Sequence, residues 1–201
     1  MLISFEGIDG CGKSTQIKLL KNYLQDRALE YHIFREPGGT DISERIRSLL
    51  LHETDEMDPV TELLLFSAAR SQLIREKVIP LLNNNDIVIL DRFFDSTTAY
   101  QGFGRQSVSL EAIRTLNNIA SHSISPDVTI FLKITPEEAA ERTQSVKKDR
   151  MEISGMDFFK KVADGYDKIA AKEKRVHVID ATRGPDEIHK EIVHIIQPYL
   201  L

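Results

Sequence analysis

Gly7-Ile8-Asp9-Gly10-Cys11-Gly12-Lys13-Ser14 is the stretch on which the reading of this chain turns. It follows directly on the apolar run Leu2-Ile3-Ser4-Phe5 and precedes a helical pattern that opens at Thr15. It has the form G-x-x-x-x-G-K-S, a phosphate-binding loop when a buried strand leads into it and a helix leads out. Both neighbours are present here. The glycines let the backbone curl around a phosphate chain, so that N–H groups and the helix N-terminus point at the anion. The octet therefore predicts a nucleoside triphosphate site. Lys13 brings a mobile positive charge to the β- and γ-phosphates, and the Ser14 hydroxyl is a ligand for Mg²⁺.

At 201 residues, 41% hydrophobic and 28% charged, the chain is expected to form one compact globular domain with a sizeable core. A formal net charge of −5 argues against a general nucleic-acid binder, which needs a basic face. Cys11 is the only cysteine. That excludes an intramolecular disulfide and a cysteine-built metal site, and it fits a reducing cytoplasm. No run approaches the roughly 18 apolar residues of a membrane span, and no charged leader precedes an apolar stretch. The expectation is a cytoplasmic protein with neither signal peptide nor membrane segment. The histidines (32, 52, 122, 177, 189 and 194) are scattered, and the closest pair is five apart, so they predict structural or surface roles rather than zinc.

Strand and helix signals alternate to the end of the chain, without repeats or linker-like tracts. Strands are predicted at 2–6, 32–35, 86–91, 127–133 and 175–180, and helices at 13–26, 41–52, 59–80, 109–122, 136–145, 156–173 and 185–197. Ile87-Val88-Ile89-Leu90 and Val128-Thr129-Ile130-Phe131-Leu132 are nearly continuous apolar runs, as parallel strands covered on both faces require. Asp58-Pro59 reads as a helix start, an acidic cap followed by proline. Thr135-Pro136-Glu137-Glu138 reads as a capping box. Asn83-Asn84-Asn85-Asp86 reads as the turn into the third strand. The class this predicts is α/β, with a five-stranded parallel sheet flanked by helices on both faces.

In such sheets ligands bind beyond the carboxyl ends of the strands, so those ends carry the chemistry. Asp91-Arg92 closes the third strand. The acid is expected at Mg²⁺, directly or through water, and the arginine beside the transferred group; the alternative is a strand-end salt bridge. Arg35-Glu36-Pro37-Gly38-Gly39-Thr40 closes the second strand as a tight turn, with Arg35 either clamping an acceptor phosphate or simply lying in the turn. Phe66 and Arg70 lie four apart on the long helix. They suit stacking on a flat base and bonding to its edge, or else a core phenylalanine and an arginine paired with an acid. Ser96-Thr97-Thr98-Ala99-Tyr100-Gln101-Gly102 offers hydroxyls and amides to a sugar or base, or to helix caps. Lys147-Lys148-Asp149-Arg150 reads either as a solvated charged turn or as part of a mobile basic lid at about 143–155 that excludes water and delivers an arginine.

Together these blocks resemble the thymidylate kinases, P-loop enzymes that pass a phosphate from ATP to thymidine monophosphate (dTMP). Phe5-Glu6-Gly7-Ile8-Asp9-Gly10-Cys11-Gly12-Lys13-Ser14-Thr15 is similar to the family's P-loop block. Arg35 to Thr40, Leu65-Phe66-Ser67-Ala68-Ala69-Arg70 and Asp91-Arg92-Phe93 through Tyr100-Gln101-Gly102 match its later blocks in order. The resemblance spans essentially the whole chain and implies a P-loop kinase fold over residues 1–201. It implies that Phe66 stacks on thymine and Arg70 bonds its edge, that Arg35 and Arg92 hold the acceptor phosphate, and that Asp9 contacts the sugar 3′-hydroxyl. It further implies Thr97 near the base, Tyr100 near the sugar 2′-position, and a homodimer formed through helices on one side of the sheet. Small residues such as Ser67, Ala68 and Ser71 would allow close packing there.

Some family members carry arginine directly after the P-loop acid, where this chain has Gly10. The missing charge is then expected from the lid, with Arg150 as the catalytic arginine beside Lys13 and Arg92. Lys147 and Lys148 stand where many relatives have arginine, and Phe93 where tyrosine is common. The implied activity is conversion of dTMP to dTDP by ATP with Mg²⁺, held by Ser14 and Asp91. Two other readings stay open: a different nucleoside monophosphate or deoxynucleoside kinase of this fold, and a P-loop nucleotide switch, against which stands the absence of an Asn-Lys-x-Asp motif.

Overall fold

The computed structural model describes residues 1–51, 56–144, 150–151 and 153–200. Its elements in chain order are β1 (Leu2–Glu6), α1 (Lys13–Gln25), β2 (Tyr31–Arg35), α2 (Asp41–Leu51) and α3 (Pro59–Leu73). A π-helical turn (Ile74–Val78) carries α3 into α4 (Ile79–Asn83), and then come β3 (Ile87–Asp91) and α5 (Phe94–Thr97). After a second π-helical stretch (Thr98–Gly104) the chain forms α6 (Leu110–Ala120), β4 (Val128–Lys133), α7 (Pro136–Arg142), α8 (Met156–Ala170), β5 (Val176–Asp180) and α9 (Pro185–Ile196). Each predicted strand forms to within a residue at its ends. His52, the expected end of the second helix, and residue 145, the expected end of the 136–145 helix, lie outside the described residues, as do Lys147, Lys148, Asp149 and Glu152 of the expected lid. No described helix is long and apolar enough to cross a membrane.

Among the described residues the sheet is five-stranded and fully parallel, in the order β2-β3-β1-β4-β5. Hydrophobic patterning sets that order. The three central strands are the continuous apolar runs: β1 is buried throughout, β3 but for Asp91, and β4 but for Lys133, whereas the edge strands β2 and β5 are only partly buried. Alternate residues face opposite ways. Ile3 and Phe5 join Leu20, Leu24 and Ile192 in one cluster, while Leu2, Val88 and Leu90 join Leu73, Ile74 and Val78 in the other. Each such fully buried aliphatic side chain contributes about 1.5–3 kcal/mol.

The start signals act as expected. The Asp58 carboxylate accepts the Val60 and Thr61 N–H groups at 2.9 and 3.1 Å. Thr135 and Glu138 form the reciprocal capping box. The segment after Arg92 differs from a polar loop: it is helical from Phe94 to Gly104. Glycine makes this possible by letting α8 lie against it. A Cβ on Gly104 would fall 2.6 Å from Phe158, and one on Gly165 would fall 2.7 Å from Phe103. The segment's hydroxyls and amides are thereby held on a rigid element beside β1 and β3.

Candidate active site

The P-loop links β1 to α1 and closes on itself through Lys13, whose Nζ donates to the Gly7 carbonyl at 3.0 Å and to the Ile8 carbonyl at 3.3 Å. Arg92, just beyond β3, reaches the same Gly7 carbonyl with Nη1 at 3.0 Å. Two cations from different elements thus converge on one backbone oxygen. Asp9 completes the group: Arg92 Nη2 lies 2.7 Å from Oδ1, and the Tyr100 hydroxyl donates to Oδ2 at 3.4 Å. Burial would push the Asp9 carboxyl up, but Arg92 and Lys13 overcome it and hold the group at about 2, so it stays ionised near neutrality. Burial pushes the Tyr100 and Tyr166 phenols well above their ordinary value, which keeps both as neutral O–H groups.

Arg92 takes this position in a left-handed backbone conformation, φ +72°. A residue with a Cβ pays about 1–2 kcal/mol for that geometry. The turn is pinned on both sides, since Arg92 N–H donates to Phe5 O at 3.0 Å and Phe93 N–H donates to Glu6 Oε1 at 2.7 Å.

A cleft of about 390 Å³ opens over the carboxyl ends of β1, β2 and β3. Its walls include Asp9, Gly10, Gly12, Lys13 and Ser14 from the loop and Asp91 and Arg92 from the end of β3. Arg35, Phe66, Arg70, Thr97 and Tyr100 line the same cleft. Gly7, Ile8 and Cys11 form the buried underside of the loop, and Cys11 Sγ lies 3.7 Å from Lys13 Nζ. Ser14 and Asp91 present two oxygen donors to one cleft, which suits Mg²⁺, a cation commonly held by one or two protein oxygens together with phosphates and water.

Across the same cleft, α3 supplies the floor. Phe66 is half-buried against the main cluster. Arg70 is 2% exposed and pairs with Glu36, Nη2 to Oε2 at 2.7 Å and Nε to the same oxygen at 2.8 Å; its Nη1 donates to Thr97 Oγ1 at 2.9 Å. Sequence reasoning offered either an arginine paired with an acid or one facing a ligand, and the fold pairs Arg70 with Glu36 on the cleft wall. Gln101, also on the cleft wall, donates its amide to Glu62 Oε1 at 2.9 Å.

Two of the expected site arginines are paired with carboxylates in the structure. Arg150, expected to bring the lid's charge to the phosphates, is not among the groups lining the cleft. Its guanidinium lies 2.7 Å from Glu62 Oε2, with Nε donating to the Leu50 carbonyl at 2.7 Å. The physical reason is Glu62, a carboxylate only 1% exposed that takes both Arg150 and Arg105 as counter-ions. Arg35 lies in the cleft wall, yet its Nη2 is committed to Glu44 at 2.9 Å. Reasoning from the sequence missed Glu36, Arg47, Gln101 and Arg142, all of which line the cleft. Glu36 and Gln101 stood inside motifs already singled out, but Arg47 and Arg142 carried no signal beyond helix periodicity. Gly10 is explained sterically: at φ +86°, a Cβ would stand 2.8 Å from the Ala139 carbonyl and 3.0 Å from the Thr143 methyl, so α7 occupies the space of a side chain.

Comparison with known proteins places the sequence in a family. A family profile described as thymidylate kinase matches residues 5–192. A thymidylate kinase of Chlorobaculum tepidum is 50% identical over 98% of this chain and 96% of its own length. Those of Thermoanaerobacter pseudethanolicus, 45% identical over 98% of both chains, and Kosmotoga olearia, 45% identical over 96% and 93%, are similarly related. With its P-loop, its Asp91-Arg92 strand end and its α3 floor in that family's order along nearly the full length, the chain belongs to the thymidylate kinase family.

Proposed function

We propose that the protein transfers the γ-phosphoryl group of ATP to dTMP, giving dTDP, in the cleft above β1, β2 and β3. The observation that carries this reading is the convergence of Lys13 and Arg92 on the Gly7 carbonyl, because it pairs a donor-loop cation with a second cation for the acceptor. Phosphoryl transfer needs the two phosphates in line and their charge neutralised, with little covalent chemistry from the protein. Lys13 and the N–H groups of residues 7–14 hold the β- and γ-phosphates. Ser14 and Asp91 hold Mg²⁺, which when bound neutralises charge developing on the transferred group. Arg92 and Arg35 hold the acceptor phosphate, an oxyanion that needs no general base. Asp9, ionised and already bonded to Arg92, accepts from the sugar 3′-hydroxyl.

Phe66 stacks on the base, Arg70 and Thr97 meet its edge, and Tyr100 fills the space of a 2′-hydroxyl. Gln101 adds a reason for thymine: with its amide committed to Glu62, its carbonyl end accepts from the N3–H, which cytosine lacks. The 1–201 chain acts as one kinase domain. Arg142, the last residue of α7, adds a further cation to the cleft wall and donates to the Ala181 carbonyl at 2.9 Å. A cytoplasmic homodimer completes the reading. Support for the dimer comes from Val60 and Leu64 on α3 and Ile119 on α6, apolar residues exposed by 37%, 52% and 63%.

The test is acceptor profiling with ATP and Mg²⁺ across dTMP, dUMP, dCMP, dGMP and unphosphorylated thymidine. dTMP is expected to give the highest kcat/KM. Preference for thymidine itself, or for a base without an N3–H flanked by carbonyls, would overturn the reading.

A further inference from the structure

Among the described residues, Glu6 is the one fully buried carboxylate beside the P-loop that the reaction as described does not use. It is the last residue of β1 and is 0% exposed. Its two oxygens are both occupied. Oε1 accepts the Phe93 N–H at 2.7 Å. Oε2 accepts the Ser96 hydroxyl at 2.6 Å and the Tyr166 hydroxyl at 2.9 Å. The same Ser96 oxygen accepts from Arg92 Nη1 at 3.2 Å, and Tyr166 lies 3.5 Å from that nitrogen. A relay therefore runs from the Arg92 guanidinium through the Ser96 hydroxyl to Glu6, while a second bond from Glu6 fixes the peptide directly after the left-handed Arg92. One carboxylate holds both the backbone and the side chain of the same arginine.

We propose that Glu6 is a positioning residue for the acceptor-phosphate site, clamping Phe93 N–H and Ser96 so that Arg92 keeps its left-handed backbone and presents its guanidinium to the incoming phosphate. The inference rests on the assignment of Arg92 to the acceptor phosphate. The chemistry fits the task. A charged acceptor makes the Ser96 and Phe93 bonds short and directional. A buried location shields them from water, and the strand end is the most rigid place from which to hold a strained turn. The remaining charged groups facing Glu6 are Asp95 of α5 and Arg175 ahead of β5. They pair with each other at 2.6 Å, and Asp9 and Asp91 are the other carboxylates acting on Arg92.

The experiment is a double-mutant cycle at pH 8 with ATP, Mg²⁺ and dTMP. Glu6→Gln keeps the shape and removes the charge. It is expected to lower kcat/KM for dTMP by about tenfold or more while KM for ATP changes by less than about twofold. Placed on Arg92→Ala, the same change is expected to cost less than about twofold further, because a residue acting through Arg92 has nothing left to position. An equal loss in both backgrounds, or equal effects on both substrates, would make Glu6 merely structural and overturn the proposal. If Glu6→Gln does not fold, Ser96→Ala breaks the relay while leaving the Phe93 clamp, and a normal kcat/KM for dTMP in that variant is equally fatal. Should Arg92→Ala itself keep near-normal kcat, the assignment of Arg92 fails, and this inference falls with it. A damaged Arg92→Ala beside a normal Glu6→Gln refutes the inference alone.

Discussion

Replacing Arg70 by Met tests how the floor of the cleft is held. Both partners of the Arg70–Glu36 pair are desolvated, with side chains 2% and 4% exposed. Arg70 gives Glu36 Oε2 its two bonds, and Glu36 Oε1 has no partner among the described residues. Met fills much of the arginine volume but leaves the carboxylate without a donor. Removing one member of a buried pair costs about 3–5 kcal/mol, mostly because of the charge left behind. In a domain of this size about 1 kcal/mol corresponds to roughly 2–4 °C, so the melting temperature should fall by about 6–20 °C. Burial pushes the Glu36 carboxyl up even with Arg70 beside it. Glu36 without Arg70 therefore takes up a proton more readily, and the loss should be smaller at pH 5 than at pH 8. Arg70→Met combined with Glu36→Gln removes the stranded charge and should recover at least about 1 kcal/mol of the loss. Urea unfolding followed by far-UV circular dichroism measures each term. A single-variant loss below about 1 kcal/mol, or a double variant less stable than the single, would refute the reasoning.

Two further outcomes follow from the loop and its surroundings. Gly10→Ala forces a Cβ against the Ala139 carbonyl at positive φ, so it should raise KM for ATP several-fold and cost about 1–3 kcal/mol; an unchanged melting temperature with normal KM would show that α7 yields freely. Glu6 is pushed up to about 7 by burial and by Asp95, against the opposing pull of Ser96, Arg92 and the Phe93 N–H. Its folded value lies above its unfolded one, so its contribution to stability is complete below about pH 4.5 and is lost as pH rises through about 7. The advantage of the native protein over Glu6→Gln should thus shrink between pH 5 and pH 8, and a constant gap in thermal melts across that range would contradict the placement of Glu6.

The P-loop, the buried character of β1, β3 and β4, the caps at Asp58 and Thr135 and the place of Arg92 at the end of β3 were legible in the chain itself. Each depends on local rules: spacing, strand periodicity, capping chemistry and the identity of a strand's last residue. Arg35, Phe66, Arg70, Thr97 and Tyr100 were legible as candidates through family resemblance, and they meet in one cleft because they stand at strand ends or on α3 and the helical stretch after β3.

Pairings between residues far apart in the chain were not legible. Nothing local says that Glu62 should capture Arg150 and Arg105, that Glu36 should hold Arg70, or that Glu6 should steady Arg92 across 86 positions of sequence. Periodicity tells which face of an element is buried, but a buried carboxylate takes whichever donor the packed fold brings within bonding distance. The octet at residues 7–14 thus predicted by itself a phosphate-binding loop between β1 and α1. Only the tertiary structure decided that Lys13 and Arg92 meet on the Gly7 carbonyl, that α7 excludes a side chain at Gly10, and that Arg150 pairs with the buried Glu62. Those outcomes depend on desolvation and on three-dimensional distance, which a linear sequence does not contain.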